Sequence, residues 1–242
     1  MITHAVIFSP IGQSSRSDQI VQRLANAIVS GLLEANEQLP NEADLARMMG
    51  VSHITIREAL NTLRANGLVY TVRGRNGGSF VANSIDKQTS SQHPFNLIST
   101  EYLSDLGEWH CAIFCHAARL ASTRMTASDI ATLTQFVDIL EQATSAEMRS
   151  QADMRCLLTI AANSQSARIA SQELIIQSEW ASLVTLLYKS DEAHHTTVDI
   201  YRKLLTAFIG HDELAAVNLA SALINELTSR LIEYKISFKE IM

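Results

Sequence analysis

Glycine and proline are distributed very unevenly along this chain of 242 residues. Seven of the nine glycines lie within residues 12–78, whereas the sequence after Pro94 has no further proline and only two glycines, Gly107 and Gly210. Both residue types interrupt regular structure, glycine because its backbone is unrestrained and proline because it lacks an N–H donor. The sequence therefore predicts short elements joined by turns at the N-terminus and long helices in the remainder. The expected fold class is mostly α, with a C-terminal antiparallel all-helical bundle.

The N-terminal segment, residues 13–82, carries start and stop signals for three short helices, each a polar N-cap residue followed by a terminal glycine. The expected pairs are Ser17 with Gly31, Asn41 with Gly50, and Ser52 with Gly67. After them, "LVYTV" (68–72) and "SFVA" (79–82) are strand candidates on either side of the glycine-rich turn "RGRNGG". Three helices followed by a two-stranded hairpin predict a winged helix-turn-helix.

A polar, Ser/Thr-rich stretch, residues 83–95, separates this segment from the helical remainder and is typical of a linker. We therefore expect one domain over 13–82, a linker over 83–95 and a helical domain over 96–242. Six helices are expected in the helical domain, over residues 97–124, 126–145, 147–163, 166–189, 191–210 and 212–238. Their apolar residues recur at helical spacing, as they do in antiparallel bundles.

The formal net charge of the whole chain is −6, but residues 13–82 combine seven arginines, no lysine and six acidic residues, a net of +1. This balance argues against diffuse binding to any polyanion and is compatible with one small basic face. No stretch has the eighteen or more apolar residues that a membrane span needs, and the three cysteines form no disulfide framework. A cytoplasmic protein with no membrane segment is expected.

The third predicted helix has two chemically different faces. Ile56, Leu60 and Leu63 form an apolar face suited to packing on the first two helices. The candidate DNA-binding residues are His53, Thr55, Arg57, Asn61 and Arg64 on the opposite face, and Arg73, Gly74 and Arg75 in the hairpin turn. Such a helix fits the major groove, where an arginine such as Arg57 can bond a guanine or a phosphate. The simpler alternative is an ordinary solvated polar face.

The segment "LPNEADLARMMGVSHITIREALNTLRANGLVYTVRGRNGGSFV" (39–81) resembles the DNA-binding domain of the GntR family, which shows L-P-S-E-R-x-L-A, then G-V-S-R-x-T-V-R-E-A-L, then a wing ending in G-G-x-F-V. The resemblance implies a homodimer that binds palindromic operators in double-stranded DNA, with a helical effector domain that controls the affinity. Ala43 and His53 stand where the family pattern has arginines. These two departures imply that the operator contacts differ there.

The helical remainder is similar to the FCD effector domain of the FadR-type branch, through "AARLAS" (117–122) and "LLTAFIGHDELAA" (204–216). Many members of that branch hold a divalent metal with one Asp and three His. The four ligand positions align with Asp153, Leu157, Tyr201 and Leu223 here. Because two leucines and a tyrosine cannot complete such a set of ligands, the domain is expected to bind no metal and no cofactor.

The same alignment places His110 and Phe114 where the family has an arginine and a glutamate. The expected effector pocket is lined by His110, Phe114, Asp153, Leu157, Tyr201 and Leu223. Apolar walls with a few polar groups suit a small organic effector, and carboxylic acids are among the candidates. The alternative is a filled core, in which a buried Asp153 would need a donor such as Tyr201 or His110, or a raised pKa.

An enzyme is not expected, because the sequence has no G-x-S-x-G, H-E-x-x-H, P-loop or Rossmann glycine pattern. A second class of function stays open, a winged-helix module that binds another protein and has a helical dimer domain but no effector. Cys111 and Cys115 are one helical turn apart, and Cys156 is the third cysteine. These thiols are either a metal or redox site or small core residues.

Overall fold

The computed structural model describes residues 16–29, 32–72, 74, 77–82 and 98–240. The chain forms two compact units, one within residues 1–91 and the other within residues 92–242. The first is a winged helix-turn-helix and the second is an all-helical bundle, so the predicted fold class is confirmed. The expected linker over 83–95 lies outside the described residues.

The winged helix-turn-helix consists of α1 (Arg16–Val29), α2 (Glu42–Met49), α3 (His53–Ala65), β1 (Val69–Val72) and β2 (Gly78–Val81). Two of its predicted N-caps are confirmed. Asn41 Oδ1 accepts a hydrogen bond from the backbone N–H of Asp44 at 2.9 Å, which caps α2. Ser52 Oγ accepts one from the backbone N–H of Thr55 at 3.1 Å, which caps α3. The predicted cap at Ser17 is wrong, because this residue already lies within α1.

The recognition-helix candidate, α3, packs against α1, α2 and β1. The buried side chains of this small core include Ile20, Leu24 and Ile28 of α1, Leu45 and Met49 of α2, and Ile56, Leu60 and Leu63 of α3. The apolar face predicted for α3 is therefore confirmed. Burial of this face holds the helix in place and determines which of its residues face solvent.

The wing is joined to the rest of the unit by backbone hydrogen bonds. Its two strands pair antiparallel along their whole length. The backbone N–H of Leu39 donates to the carbonyl of Ser79, and that of Val81 donates to the carbonyl of Glu37, both at 2.9 Å. The segment before α2 thus runs beside β2 as a third, very short partner, which the sequence pattern did not predict.

The helical unit consists of α4 (Thr100–Arg124), α5 (Ala127–Gln142), α6 (Ala146–Asn163), α7 (Ala167–Leu187), α8 (Asp191–Ile209) and α9 (Glu213–Glu240). The start and end of each of these six helices lie within three residues of those predicted. Polar caps explain this agreement, since Ser99 caps α4 and Thr126 forms a reciprocal capping box with Asp129 at the start of α5. Among the described residues, no helix is both long and apolar enough to cross a bilayer.

α6 is the central helix of this unit, because it is buried on nearly every side. It packs against α4, α5 and α7, and every residue from Ala152 to Ile160 except Arg155 is buried. A helix in this position is expected to be apolar all round. Asp153 is the exception, and its place on α6 puts a carboxyl group inside the unit.

α4 and α9 pack against each other along their length. Gly107 makes this approach possible, since a Cβ there would lie 2.4 Å from Thr228 Oγ1 and 2.5 Å from Thr228 Cγ2. These distances are far below ordinary van der Waals contact. The glycine is thus required by packing against a neighbouring helix, even though it lies within a helix, where it weakens the backbone.

Candidate DNA-binding surface and effector site

The outward face of α3 carries most of the predicted DNA-contacting residues. On α3, His53, Arg57 and Asn61 are exposed, and Thr55 and Arg64 are half-buried. In the hairpin turn, Gly74 is exposed, and Arg73 and Arg75 lie outside the described residues. Ser52 sets the start of this face, because its hydroxyl also lies 2.8 Å from the hydroxyl of Thr55. Thr55 therefore contributes to the cap of α3 as well as to its polar face.

The guanidinium of Arg57 is held by Glu42 at the start of α2. Its Nε and Nη2 groups donate to Glu42 Oε2 at 3.2 and 3.0 Å, while 63% of the Arg57 side chain remains exposed. The carboxylate thus orients the arginine without covering it. Further along the same face, Arg64 Nη1 donates to Asn61 Oδ1, so these two polar side chains also lie together.

Ile54 is an exposed residue that the sequence interpretation missed. It lies in the first turn of α3, directly after His53, and is 68% exposed. An apolar side chain there gains nothing from contact with water, whereas in the major groove it can contact the methyl group of thymine. The available signal in the sequence was an isoleucine on the polar side of an amphipathic helix.

The hairpin turn of the wing depends on glycine at two positions. Gly74 has a φ of 121°, a backbone conformation that residues with a side chain rarely adopt. A Cβ at Gly77 would lie 2.5 Å from the carbonyl oxygen of Val72. The backbone N–H of Gly77 donates to the carbonyl of Gly74 at 2.9 Å and closes the turn. At these two positions the turn exposes backbone with no side chain, which suits close approach to a phosphate.

In the helical unit, the six residues of the predicted pocket are all buried. Each of His110, Phe114, Asp153, Leu157, Tyr201 and Leu223 is at most 1% exposed. The hydroxyl of Tyr201 donates to Asp153 Oδ1 at 2.6 Å. His110 instead faces a second carboxylate, since its Nε2 lies 2.9 Å from Glu173 Oε1.

Three polar residues of α7 border the same region and were missed by the sequence interpretation. Gln177 Nε2 donates to Glu173 Oε1 at 2.7 Å, and Trp180 packs edge-on against His110 with ring centroids 4.6 Å apart. The three recur at helical spacing on the buried face of α7. A glutamate and a glutamine at core positions of an amphipathic helix were the available signal.

Six buried side chains in this region each have a polar atom without a hydrogen-bonding partner among the described residues. The atoms are His110 Nδ1, Asp153 Oδ2, Glu173 Oε2, Gln177 Oε1, Trp180 Nε1 and the Tyr188 hydroxyl, and we refer to these six residues as the buried polar cluster. Nearly all buried polar atoms in proteins are hydrogen-bonded. These atoms favour the predicted pocket over the alternative that was open from the sequence, a filled core with satisfied polar groups.

Burial raises the pKa of Asp153 to about 6, and the hydroxyl groups of Tyr201 and Tyr188, which both face its carboxyl group, oppose this shift. Burial, and after it the charge of Asp153, also raises the pKa values of Tyr188 and Tyr201 well above their ordinary range. Both tyrosines therefore remain hydroxyl donors at neutral pH. Asp153 is mostly ionised there and gains protons as the pH falls through about 6.

The residues at the family's metal-ligand positions do not fit a divalent metal. Leu157 and Leu223 carry no donor atom, and the hydroxyl of Tyr201 is already engaged with Asp153. In the described parts of the chain, no three His, Cys, Asp or Glu side chains are grouped in a way that would hold a metal ion. The chemistry of this site therefore rests on the side chains themselves.

Cys111 and Cys115 lie side by side, with their Sγ atoms 3.5 Å apart and both side chains half-buried. Burial raises the pKa of Cys115 to about 12, and the neighbouring Cys111 adds to this shift. Burial also raises the pKa of Cys156 well above its ordinary value. Thiols that stay protonated are poor nucleophiles and poor metal ligands, so these residues favour the interpretation as core side chains.

Comparison with known families matches both units. Residues 16–81 match the family described as "Bacterial regulatory proteins, gntR family", and residues 105–226 match the FCD domain. These ranges contain α3 with its wing and the whole of the buried polar cluster. The resemblances that the sequence motifs predicted are therefore confirmed.

Individual relatives agree with this assignment. The chain is 39% identical to RmpR of Mycobacterium gastri, whose name marks it as a candidate HTH-type transcriptional regulator, over 72% of this chain and 64% of that protein. It is 24% identical to the uncharacterized HTH-type transcriptional regulator Rv0494 of Mycobacterium tuberculosis, over 94% of both chains. The solved structure of McbR/YncC from E. coli has the same fold, with a TM-score of 0.52 and 18% identity over 92% of this chain and 99% of that one. The chain therefore belongs to the GntR family of bacterial regulatory proteins, in the branch with an FCD domain.

Proposed function

We propose that this protein binds operator DNA as a homodimer and that a small organic effector, bound in the helical unit without a metal, changes its affinity for DNA. The observation that carries the DNA-binding part is the geometry of α3. Its apolar face is buried, its start is fixed by Ser52, and the side that bears Arg57 faces solvent. A helix held in this way can enter the major groove and present its first turns to base edges.

Arg57 is the residue we assign to the main polar contact. Its bonds to Glu42 use Nε and Nη2, which leaves Nη1 without a partner among the described residues. An arginine whose orientation is already fixed loses little side-chain entropy when it bonds a guanine or a phosphate. Ile54, in the same exposed first turn, supplies an apolar contact to a thymine methyl group.

The second part of the proposal concerns the helical unit. The buried polar cluster combines hydrogen-bonding atoms without partners with the apolar side chains of Phe114, Leu157 and Leu223. This combination suits a small ligand that is enclosed by the helices. Such a ligand alters DNA binding only if it binds more tightly to one of two arrangements of the dimer. A regulator of this kind acts in the cytoplasm, where its operator is.

Binding to the DNA next to the protein's own gene tests this function. Fluorescence anisotropy would compare that duplex with a scrambled duplex of equal length, and light scattering would give the number of chains bound to each duplex. We expect two chains per duplex, a clear preference for the natural sequence and a steep loss of affinity as salt is added. Equal binding to both duplexes would refute sequence-specific recognition, and one chain per duplex would refute the homodimer.

A further inference from the structure

The buried polar cluster contains two carboxyl groups and no permanently positive side chain. Among the described residues of the helical unit, the buried carboxyl groups are those of Asp153 and Glu173. The cation that can act on both is the imidazole of His110, which bonds Glu173 and interacts electrostatically with Asp153. The cluster therefore contains two acidic side chains and one basic side chain.

Two arginines on the neighbouring helices already have hydrogen-bonding partners. Arg149 of α6, whose side chain is 13% exposed, bonds Asp191 at 2.7 Å and the carbonyls of Tyr188 and Ala143 at 3.0 and 3.1 Å. Arg202 of α8 bonds Asp138 at 2.8 Å. Lys235, which is also buried, is twelve residues beyond Leu223 on α9, about 18 Å along a helix. The basic group that acts on Asp153 is His110, and the hydrogen bonds of both arginines are used by other partners.

The atoms without partners define the hydrogen bonds that a ligand would complete. Asp153 Oδ2, Glu173 Oε2 and Gln177 Oε1 are acceptors, so they require N–H or O–H groups on the ligand. Trp180 Nε1 can only donate, and the Tyr188 hydroxyl can donate or accept. A ligand that fits must therefore carry at least two donors and one acceptor.

We infer that the effector is a small compound with several N–H or O–H groups and no negative charge, either an amine or a polyhydroxy compound. This inference rests on the proposed function, because it identifies the class of effector for the site placed there. The donors of the ligand bond the free oxygens of Asp153 and Glu173, and Trp180 and Tyr188 bond its acceptor. Carboxylic acids are disfavoured, because a ligand carboxylate would lie beside two buried carboxyl groups, and the one basic side chain of the cluster, His110, already bonds Glu173.

Trp180 provides a direct probe of the site. The chain has two tryptophans, and Trp109 is only partly buried, so Trp109→Phe leaves Trp180 as the single fluorophore. We would titrate this full-length variant with linear diamines, sugar alcohols and linear dicarboxylates of matched chain lengths, and follow both Trp180 emission and the thermal midpoint. We expect saturable changes with diamines or sugar alcohols and none with dicarboxylates. A saturable change with dicarboxylates, or no change with any series, would overturn the inference, and the second result would leave ordered water as the only occupant.

Charge-removing variants locate the binding. Glu173→Gln and Asp153→Asn should each weaken binding of the diamine or sugar alcohol that binds the wild type about tenfold or more. The reason is that hydrogen bonds to ionised groups are among the stronger ones. Glu108→Gln and Asp199→Asn remove the same charges from exposed positions on α4 and α8 and should leave binding unchanged. Tyr188→Phe is a further test, because it deletes a hydroxyl that faces Asp153 and Thr197 but has no hydrogen bond of ordinary geometry among the described residues. Unchanged binding in all three cluster variants would contradict the assignment.

The experiments distinguish a failure of the proposed function from a failure of the inferred ligand class. If a diamine or sugar alcohol binds at Trp180 but leaves the affinity for operator DNA unchanged, the class of ligand stands and the regulatory role does not. If a dicarboxylate binds there and releases DNA, the regulatory role stands and the inferred class is wrong.

Discussion

Glu42 at the start of α2 and Arg57 on α3 are joined by two hydrogen bonds, from Arg57 Nε and Nη2 to one carboxylate oxygen. The pair links the two helices of the helix-turn-helix on the side that faces solvent, and both side chains keep some exposure. An exposed ion pair adds little to stability. We infer that this pair fixes the direction in which Arg57 meets DNA.

Replacing Arg57 by alanine should reduce the sequence preference. We expect the binding free energy for the natural operator to fall by about 1–3 kcal/mol, while that for scrambled DNA changes less. Fluorescence anisotropy with both duplexes would measure the ratio. Arg47→Ala is the control, because Arg47 is also exposed and paired with a carboxylate but lies on α2. This variant should bind both duplexes more weakly and to the same extent. An unaltered preference in Arg57→Ala would refute the recognition-helix assignment.

Glu42→Gln should raise the affinity for DNA of any sequence, whereas Arg57→Ala lowers the affinity for the operator. Loss of one negative charge near the DNA strengthens binding to any sequence, while loss of the orienting carboxylate lowers the ratio of operator to scrambled binding. Glu58→Gln, on the exposed side of α3, removes an equal charge and should leave the ratio as it is. If both variants changed the ratio equally, Glu42 would have no orienting role.

The exposed side chain of Ile54 can be tested by changing the DNA together with the protein. Replacing operator thymines one at a time by deoxyuridine removes only the methyl group. At the contacted position the wild-type protein should lose about 1 kcal/mol of binding free energy, whereas Ile54→Ala should be insensitive to the same replacement. If the losses of binding free energy from Ile54→Ala and from deoxyuridine were additive at every thymine position, Ile54 would contact no thymine methyl group.

Asp153 should make the stability of the helical unit depend on pH. Its pKa is raised from 3.8 to about 6 in the folded protein, so between these values the folded chain holds a proton that the unfolded chain has lost. The stabilisation is complete below the unfolded value and disappears as the pH rises through about 6, a loss of up to about 3 kcal/mol.

Urea denaturation followed by tryptophan fluorescence would measure this effect at about pH 5 and about pH 7.5, with both tryptophans located in the helical unit. The free energy of unfolding of the wild type should fall between the two pH values by more than that of Asp153→Asn. Asp199→Asn, on the exposed side of α8, is the matched control and should follow the wild type. Identical pH dependence in all three proteins would contradict a raised pKa for Asp153.

Gly107→Ala should destabilise the bundle, because the added Cβ would overlap two side-chain atoms of Thr228. We expect a loss of about 1–3 kcal/mol, as is usual for overpacking. Thr228→Ala removes those two atoms, so the double variant should lose less than the sum of the single variants. Urea denaturation of the four proteins would give the coupling energy between the two positions. If the losses of the two single variants simply added in the double variant, Gly107→Ala would not act through Thr228.

Local signals account for the parts of the fold that were predicted. The caps at Asn41, Ser52 and Thr126 are satisfied within three residues along the chain, so the sequence alone indicates them. Ser17 shows the limit of this reasoning, because a residue that can cap a helix can also lie inside one. Helix bounds in the bundle were predictable for the same reason, since each depends on a cap or a break in the pattern.

The candidate effector site was predicted only in part, because its contacts join distant residues. Resemblance placed His110 and Asp153 in one pocket, but Glu173 is 63 residues from its partner His110. Such a pairing depends on how α4 and α7 pack, and no local pattern in the sequence determines that. The short third partner of the wing was missed likewise, since the hydrogen bonds between residues 37–39 and β2 involve only backbone atoms.

Those backbone bonds have a consequence for how operator release can occur. Residues 37–39, which these bonds connect to β2, immediately precede α2, and α2 packs on α3. The hairpin and the recognition helix are therefore expected to move together. Neither can be withdrawn from a DNA groove while the other stays in place. If the proposed function is correct, operator release therefore requires movement of the whole winged helix-turn-helix, and a change in the shape of one of its elements is not enough.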